Sequence, residues 1–245
     1  MRLPYDELWN DSVALVRANR PLLIALAGAF FFLPNLALAL LAPFEQPAPG
    51  VSLVEALSAY MRENWPLVLA GGLVEMLGTL TMLNLFLRPE GRTVGALIAG
   101  SLMLLPGLFV AGFFANLILM LGFALLVVPG IYALGRLALL APAVAAERRR
   151  NPFEALGRSF ELTKGHGFAV AGILVLVYVL GFLISLAATR GLGSVAILLA
   201  GRDAGMLVSE VLGALVWAAV NVLLVALGAV LYRRLAGRER GAASA

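Results

Sequence analysis

Long apolar runs recur along the chain at about 21–42, 66–87, 107–128, 168–188 and 207–232. Each approaches the roughly 20 residues that a helix needs to cross a hydrocarbon core about 30 Å thick. A shorter run at 131–146 is arguable on length alone. A spanning segment must pair its own backbone groups, which leaves helices or a closed barrel. No ten-residue alternating pattern of the barrel kind is present. The pattern therefore predicts an all-α integral membrane protein, a single membrane domain over 1–245, built as a six-helix bundle when 131–146 is counted.

Between the runs lie amphipathic pieces, expected as short interfacial helices at about 4–19, 52–64, 93–105 and 152–164. In the first, Pro4 suits a first helical position, and Tyr5, Leu8, Trp9, Val13 and Val16 follow a 3-4 spacing. That stripe is expected to face lipid or the bundle. The second leads to Trp65-Pro66 and the third to Pro106-Gly107, and a break is expected at each. The fourth is the best capped: Asn151 precedes Pro152, Glu154 stands three after the cap, and Gly165 supplies a stop. Phe153, Leu156, Phe160 and Thr163 share one expected face, with Glu154, Arg158, Glu161 and Lys164 on the other. Weak internal matches, such as Val54–Ala59 with Val94–Ala99, suggest one unit reused about four times: an interfacial helix, a break, then a span.

With 62% hydrophobic and 13% charged residues the chain is too apolar for a soluble domain, where about 45–50% is usual. Its basic residues stand at segment ends without an aromatic-interleaved surface, which excludes a nucleic-acid partner. With six spans, fourteen of the eighteen Lys and Arg fall on the side of both termini. Basic loops stay inside, so the expected location is a bacterial cytoplasmic (inner) membrane, with both termini cytoplasmic. Five spans would put basic segments outside, which is the reason to count 131–146. Asp6, Glu7 and Asp11 ahead of the first run argue for a retained span rather than a signal peptide. Arg148, Arg149, Arg150, Arg158 and Lys164 are the candidate contacts for anionic lipid headgroups.

Val128-Pro-Gly-Ile-Tyr132, Arg136, Ala141-Pro142, Glu147, and then Ala155-Leu156 through Arg158-Ser159, Glu161-Leu162-Thr163-Lys164-Gly165 carry a likeness to a known family. The stretch resembles the glycerophosphoryl diester phosphodiesterase membrane-domain family. The resemblance implies a multi-span membrane fold. It does not imply the enzymatic activity, since the chain shows only the membrane part and no phosphodiesterase domain.

Charged side chains inside a span cost about 2.5–3.5 kcal/mol on insertion scales and need a reason. Glu75 lies near the middle of the second run, Arg136 inside the short fourth and Glu210 near the start of the sixth. Two readings fit Glu75 and Arg136: a structural pair that fixes helix packing, or a polar site at the bundle centre. Asn35, Asn116 and Asn221 are expected to bond between helices. Small residues spaced by four (Ala111/Ala115, Gly181/Ser185, Ala214/Ala218) suit close packing within a subunit or between copies. His166, the one histidine, reads as a headgroup-level polar residue. There is no cysteine, and no metal, cofactor or catalytic motif is visible. The expected function is non-catalytic, a membrane-organising or partner-binding role. The alternative is a transporter or a lipid- and amphiphile-handling protein with its site near Glu75 and Arg136. Expected partners are membrane lipids, a second copy or another membrane protein.

Overall fold

The computed structural model describes residues 5–44, 47–88 and 93–243. Pro4, the turn at 89–92 and the basic Arg2 lie outside the described residues. In chain order the helices are α1 (Tyr5–Ala18), α2 (Arg20–Leu41), α3 (Leu53–Leu87), α4 (Val94–Leu102), α5 (Leu105–Leu125), α6 (Val127–Glu147), α7 (Pro152–Leu162), α8 (Gly167–Leu199) and α9 (Arg202–Ala243). No strand occurs among the described residues. Six of these helices, α2, α3, α5, α6, α8 and α9, are long and apolar enough to cross a membrane. The protein is an all-α bundle of the membrane kind.

Several boundaries differ from the sequence pattern, each for a local reason. Ser52 opens α3 with a complete capping box: its hydroxyl accepts from the Glu55 amide and the Glu55 carboxylate accepts from the Ser52 amide at 3.0 Å. From there α3 runs 35 residues, about 52 Å, straight through Pro66. The separate interfacial helix at 52–64 is thus the outer end of the span itself. Membrane helices tolerate an internal proline better than soluble ones. Pro129-Gly130 likewise lies within α6 rather than ahead of it, so this helix begins at Val127 and gains the length that 131–146 lacked. Its real interruption is at Ala138–Leu139. There Pro142 can neither donate to the carbonyl four residues back nor avoid crowding it.

In α2 a π-helical turn at Gly28–Phe32 stands just before Pro34, and Pro34 cannot continue the ladder. A second π turn interrupts α8 at Ala187–Leu192. The small-residue pairs work inside the monomer: Ala111, Ala115, Ala214 and Ala218 are buried. α9 is the central post, packed against α1, α2, α3 and α8.

Each amphipathic helix turns one narrow face to the bundle and leaves large apolar side chains outside it. In α1 the buried residues are Leu8 and Ser12, seated on α9, while Tyr5 and Trp9 remain exposed. In α7 the buried face is Ala155, Leu156, Ser159 and Leu162, and Phe153 is 62% exposed. Polar residues, Ser12 and Ser159, occupy the inner faces because each hydroxyl has a carbonyl to bond: Leu8 O at 2.7 Å and Arg136 O at 2.8 Å.

A close backbone approach joins α6 to the first turn of α8, where a Cβ on Gly135 would overlap the Gly167 carbonyl. Gly135→Ala should destabilise the bundle by about 1–3 kcal/mol through overpacking. Gly172→Ala, where a Cβ meets nothing within 4 Å, should be neutral or mildly stabilising. Thermal unfolding of the two variants in lipid nanodiscs measures the difference, and equal melting would contradict the close crossing.

Candidate functional site

At the end where α1 meets the last turns of α9, the carboxylate of Glu147 is a hub. It accepts from Tyr232 Oη at 2.8 Å, Arg158 Nε at 2.8 Å and Arg149 Nε at 2.5 Å. Arg158 extends the network to Glu161 at 3.3 Å and Glu239 at 2.7 Å. Burial works against the Arg158 charge, but the hydrogen bonds to Glu147 and Glu239 outweigh it and hold its pKa above the usual guanidinium range. The last turn of α6, the capped α7 and the tail of α9 are thereby fastened together. Arg88 donates to the Ala146 carbonyl at 2.9 Å and Arg233 to that of Phe86, so two further arginines serve helix C-termini. Arg234 binds Glu7 at 2.9 Å and Asp11 at 2.5 Å, which fastens α1 to α9.

The candidate headgroup contacts divide accordingly. Arg149 is taken by Glu147 and, at 3.7 Å, by Glu154, and Arg158 is held in the hub. Arg148, Arg150 and Lys164 are exposed. Arg148 ends α6 in the left-handed region, at φ 52°. The Asn151 cap accepts from the Phe153 amide at 3.0 Å, but Glu154 takes its bond from the Asn151 side-chain amide at 3.1 Å rather than from backbone. Ser159, Glu161 and His166 each face a different partner: the Arg136 carbonyl, Arg158 and the Lys164 carbonyl.

Glu75 and Arg136 are not brought together. Arg136 sits where α6 meets α7 and the first turn of α8, with its guanidinium over Phe160 at 5.2 Å and Tyr132 at 5.7 Å. Its Nε is buried without a hydrogen-bond partner among the described residues. Glu75 instead accepts from the Trp217 indole at 3.1 Å. Trp217 lines a cavity with Tyr178, which lies about 16 Å along α8 from Gly167, the residue beside Arg136. Two aromatic faces receive the cation and an indole N–H receives the anion.

That cavity, of about 470 Å³, lies between α2, α8 and α9. Asn35, Tyr178, Ser185 and Trp217 supply its polar groups, and Gly181, Gly213 and Val220 are part of the apolar wall. Tyr178, Phe182 and Trp217 remain 45%, 66% and 38% exposed, so the cavity opens on the flank of the bundle as a cleft. The second Glu75 oxygen accepts no hydrogen bond from a described residue. A neighbouring cavity of about 330 Å³ shares Tyr178 and includes Thr79 and Asn221.

The expected interhelical amides behave otherwise: Asn116 and Asn221 bond carbonyls of their own helices, at 2.9 Å each. The amide that does bridge helices is Asn84, buried and donating to Ser101 of α4 at 2.9 Å. Glu210 is exposed on α9. Among the described residues no three His, Cys, Asp or Glu side chains gather as a metal site. Trp217 is not singled out by the sequence, and Glu147 enters there only as part of the family likeness. A tryptophan deep in a long apolar run, away from the interfaces that favour it, was the available signal for the first.

No family model matches the chain, and no curated protein or solved structure is a match for it.

Removing the hub should loosen one end of the bundle. Glu147→Gln should cost about 1–3 kcal/mol, less than the 3–5 typical of breaking a fully buried pair, since Glu147 and Arg158 keep about a fifth of their side-chain surface. The check is unfolding in mild detergent alongside proteolysis at Arg148–Arg150. An unchanged midpoint and cleavage rate would remove the hub from this account.

Proposed function

We propose that the protein is a non-catalytic, multi-span membrane protein that holds an amphiphile in the cleft between α2, α8 and α9. One observation carries this reading: a cleft of ligand size, open on the flank and lined by the Trp217 indole, whose N–H is bonded to the Glu75 carboxylate. Its wall is mainly apolar and suits an alkyl body. The free oxygen of Glu75 accepts hydrogen bonds, so the complementary head is a donor, an amine or a hydroxyl. The resemblance to the glycerophosphoryl diester phosphodiesterase membrane-domain family enters as the membrane fold without its enzyme. Supporting that, Arg136, Glu147, Arg158 and Ser159, which carry the resemblance, are occupied with each other or with neighbouring helices.

A Trp9→Phe, Trp65→Phe background leaves Trp217 as the reporter. A brominated long-chain amine should quench it saturably, and Glu75→Gln should weaken that binding about tenfold or more, the scale of one charge-assisted hydrogen bond. An alkyl sulfate of equal length should bind poorly. Equal binding of amine and sulfate, or none of either, would reject the cleft as an amphiphile site and leave the membrane-organising role.

The second part of the proposal is placement: a bacterial inner membrane with the end that carries both termini in the cytoplasm. Its support is the gathering of Arg and Lys at that end. The chain has no native cysteine, so single introduced ones report cleanly. Ala14→Cys and Lys164→Cys, both exposed, should react with an impermeant maleimide only from the cytoplasmic side, and Ala48→Cys only from the opposite side. Labelling of Lys164→Cys from outside would invert the assignment.

A further inference from the structure

α2 crosses α9 with a cavity on each flank. One is the cleft described above. The other is an apolar groove on the side of α1, with two lobes of about 450 and 310 Å³ that share Val16, Arg20, Ala219 and Val222. Arg17 and Arg20 stand at one end of it, and Gly28 and Phe32 line the other. From Arg20 to Phe32 is about 18 Å of helix, slightly more than the roughly 15 Å depth of one leaflet's hydrocarbon. At Gly28 an added Cβ would meet nothing within 4 Å. Small Ala218 and Ala219 keep the facing wall of α9 low.

The charges at its head are uncompensated among the described residues. The acidic side chains of α1 are directed elsewhere: Glu7 and Asp11 bind Arg234, and Asp6 faces a different cavity beside Ile173 and Val177. Arg17 and Arg20 are exposed and take no ion pair or side-chain hydrogen bond among the described residues. Two guanidinium groups suit a phosphate diester, which they can bind in bidentate fashion. A leaflet-deep apolar channel beneath them suits an acyl chain. We propose that this groove binds one anionic phospholipid of the leaflet at that end, with its phosphate on Arg17 and Arg20 and one acyl chain along Gly28 and Phe32. The site does not depend on the amphiphile reading of the opposite cleft. It also differs from the Arg148–Arg150 cluster, which no such groove adjoins among the cavities described.

The test uses the full chain in phosphatidylcholine nanodiscs containing a minor fraction of phosphatidylglycerol. Native mass spectrometry after transfer to mild detergent counts the phosphatidylglycerol retained. The wild type should keep one molecule. Arg17→Gln with Arg20→Gln should weaken retention roughly thirtyfold, about fivefold per arginine, and the double Lys variant should recover part of it. Gly28→Leu fills the groove without changing charge and should also lose the lipid. Gly28 opens the π turn but has right-handed helical φ and ψ of −58° and −50°, with open space at its Cβ, so this variant decides the matter even if the double Gln variant fails to fold. Arg190→Gln, an exposed charge on α8 away from this groove, should retain the lipid. Three results would overturn the proposal: retention unaffected by either change, retention lost with the arginines but kept in Gly28→Leu, or inorganic phosphate alone competing the lipid away.

Discussion

A backbone carbonyl that loses its helical partner inside a bilayer has no water to turn to. That constraint explains more of this bundle than any single packing contact. Several breaks and ends of helices here are matched by a side chain from another element. Where α6 breaks, the Arg136 carbonyl receives Ser159 at 2.8 Å, and Thr163 Oγ1 lies 3.1 Å away. At the end of α2 the Ala42 carbonyl receives Tyr60 at 2.9 Å. The last turns of α6 and α3 receive Arg88 and Arg233. In the π turn of α8, Ser209 reaches the Thr189 carbonyl at 3.4 Å. The breaks supply the contacts through which the helices recognise one another, so proline-induced irregularity and tertiary specificity have the same origin.

The Glu147 hub follows from that logic at the membrane edge. A left-handed residue at Arg148 turns the chain sharply out of α6, and the capped α7 must then be folded back across the helix ends. Hydroxyls of α7 bond α6 on its inner side, while Arg158 binds Glu147 on its outer side. Residues that look like a surface charge pattern in the sequence are therefore divided between two duties. Arg149 and Arg158 hold the fold, and Arg148, Arg150 and Lys164 remain for whatever adjoins the surface.

The six apolar helices and the Asn151 cap were legible because each depends on residues close in sequence. Three features were not, and each depends on a partner far along the chain. Pro66 reads as a break because proline rules are learned from helices in water, yet α3 runs through it. The burial of Ser159 and Ala155 is hidden because the apolar stripe of α7 runs through Phe153 and Phe160, whereas a tight interior favours small residues. Glu75 and Arg136 read as a pair because opposite charges are the simplest match, whereas Trp217 lies 142 residues from Glu75 and carries no charge to announce itself. Aromatic partners for buried charges have no local signature.

The crossing of α2 over α9 ties these threads to function. The π turn of α2 is seated against Gly78 of α3, where an added Cβ would collide with Phe30. That contact sets the crossing, and the crossing leaves a hollow on either flank. The two hollows are chemically opposite. One is lined by Asn35, Tyr178, Ser185 and Trp217, whose indole is bonded to Glu75. The other is apolar at depth and ends in two arginines at the rim, where an anionic headgroup naturally lies. A lipid held in the groove would lie against the π turn of α2, whose two ends, Gly28 and Phe32, line it, whereas the opposite cleft meets α2 at Asn35.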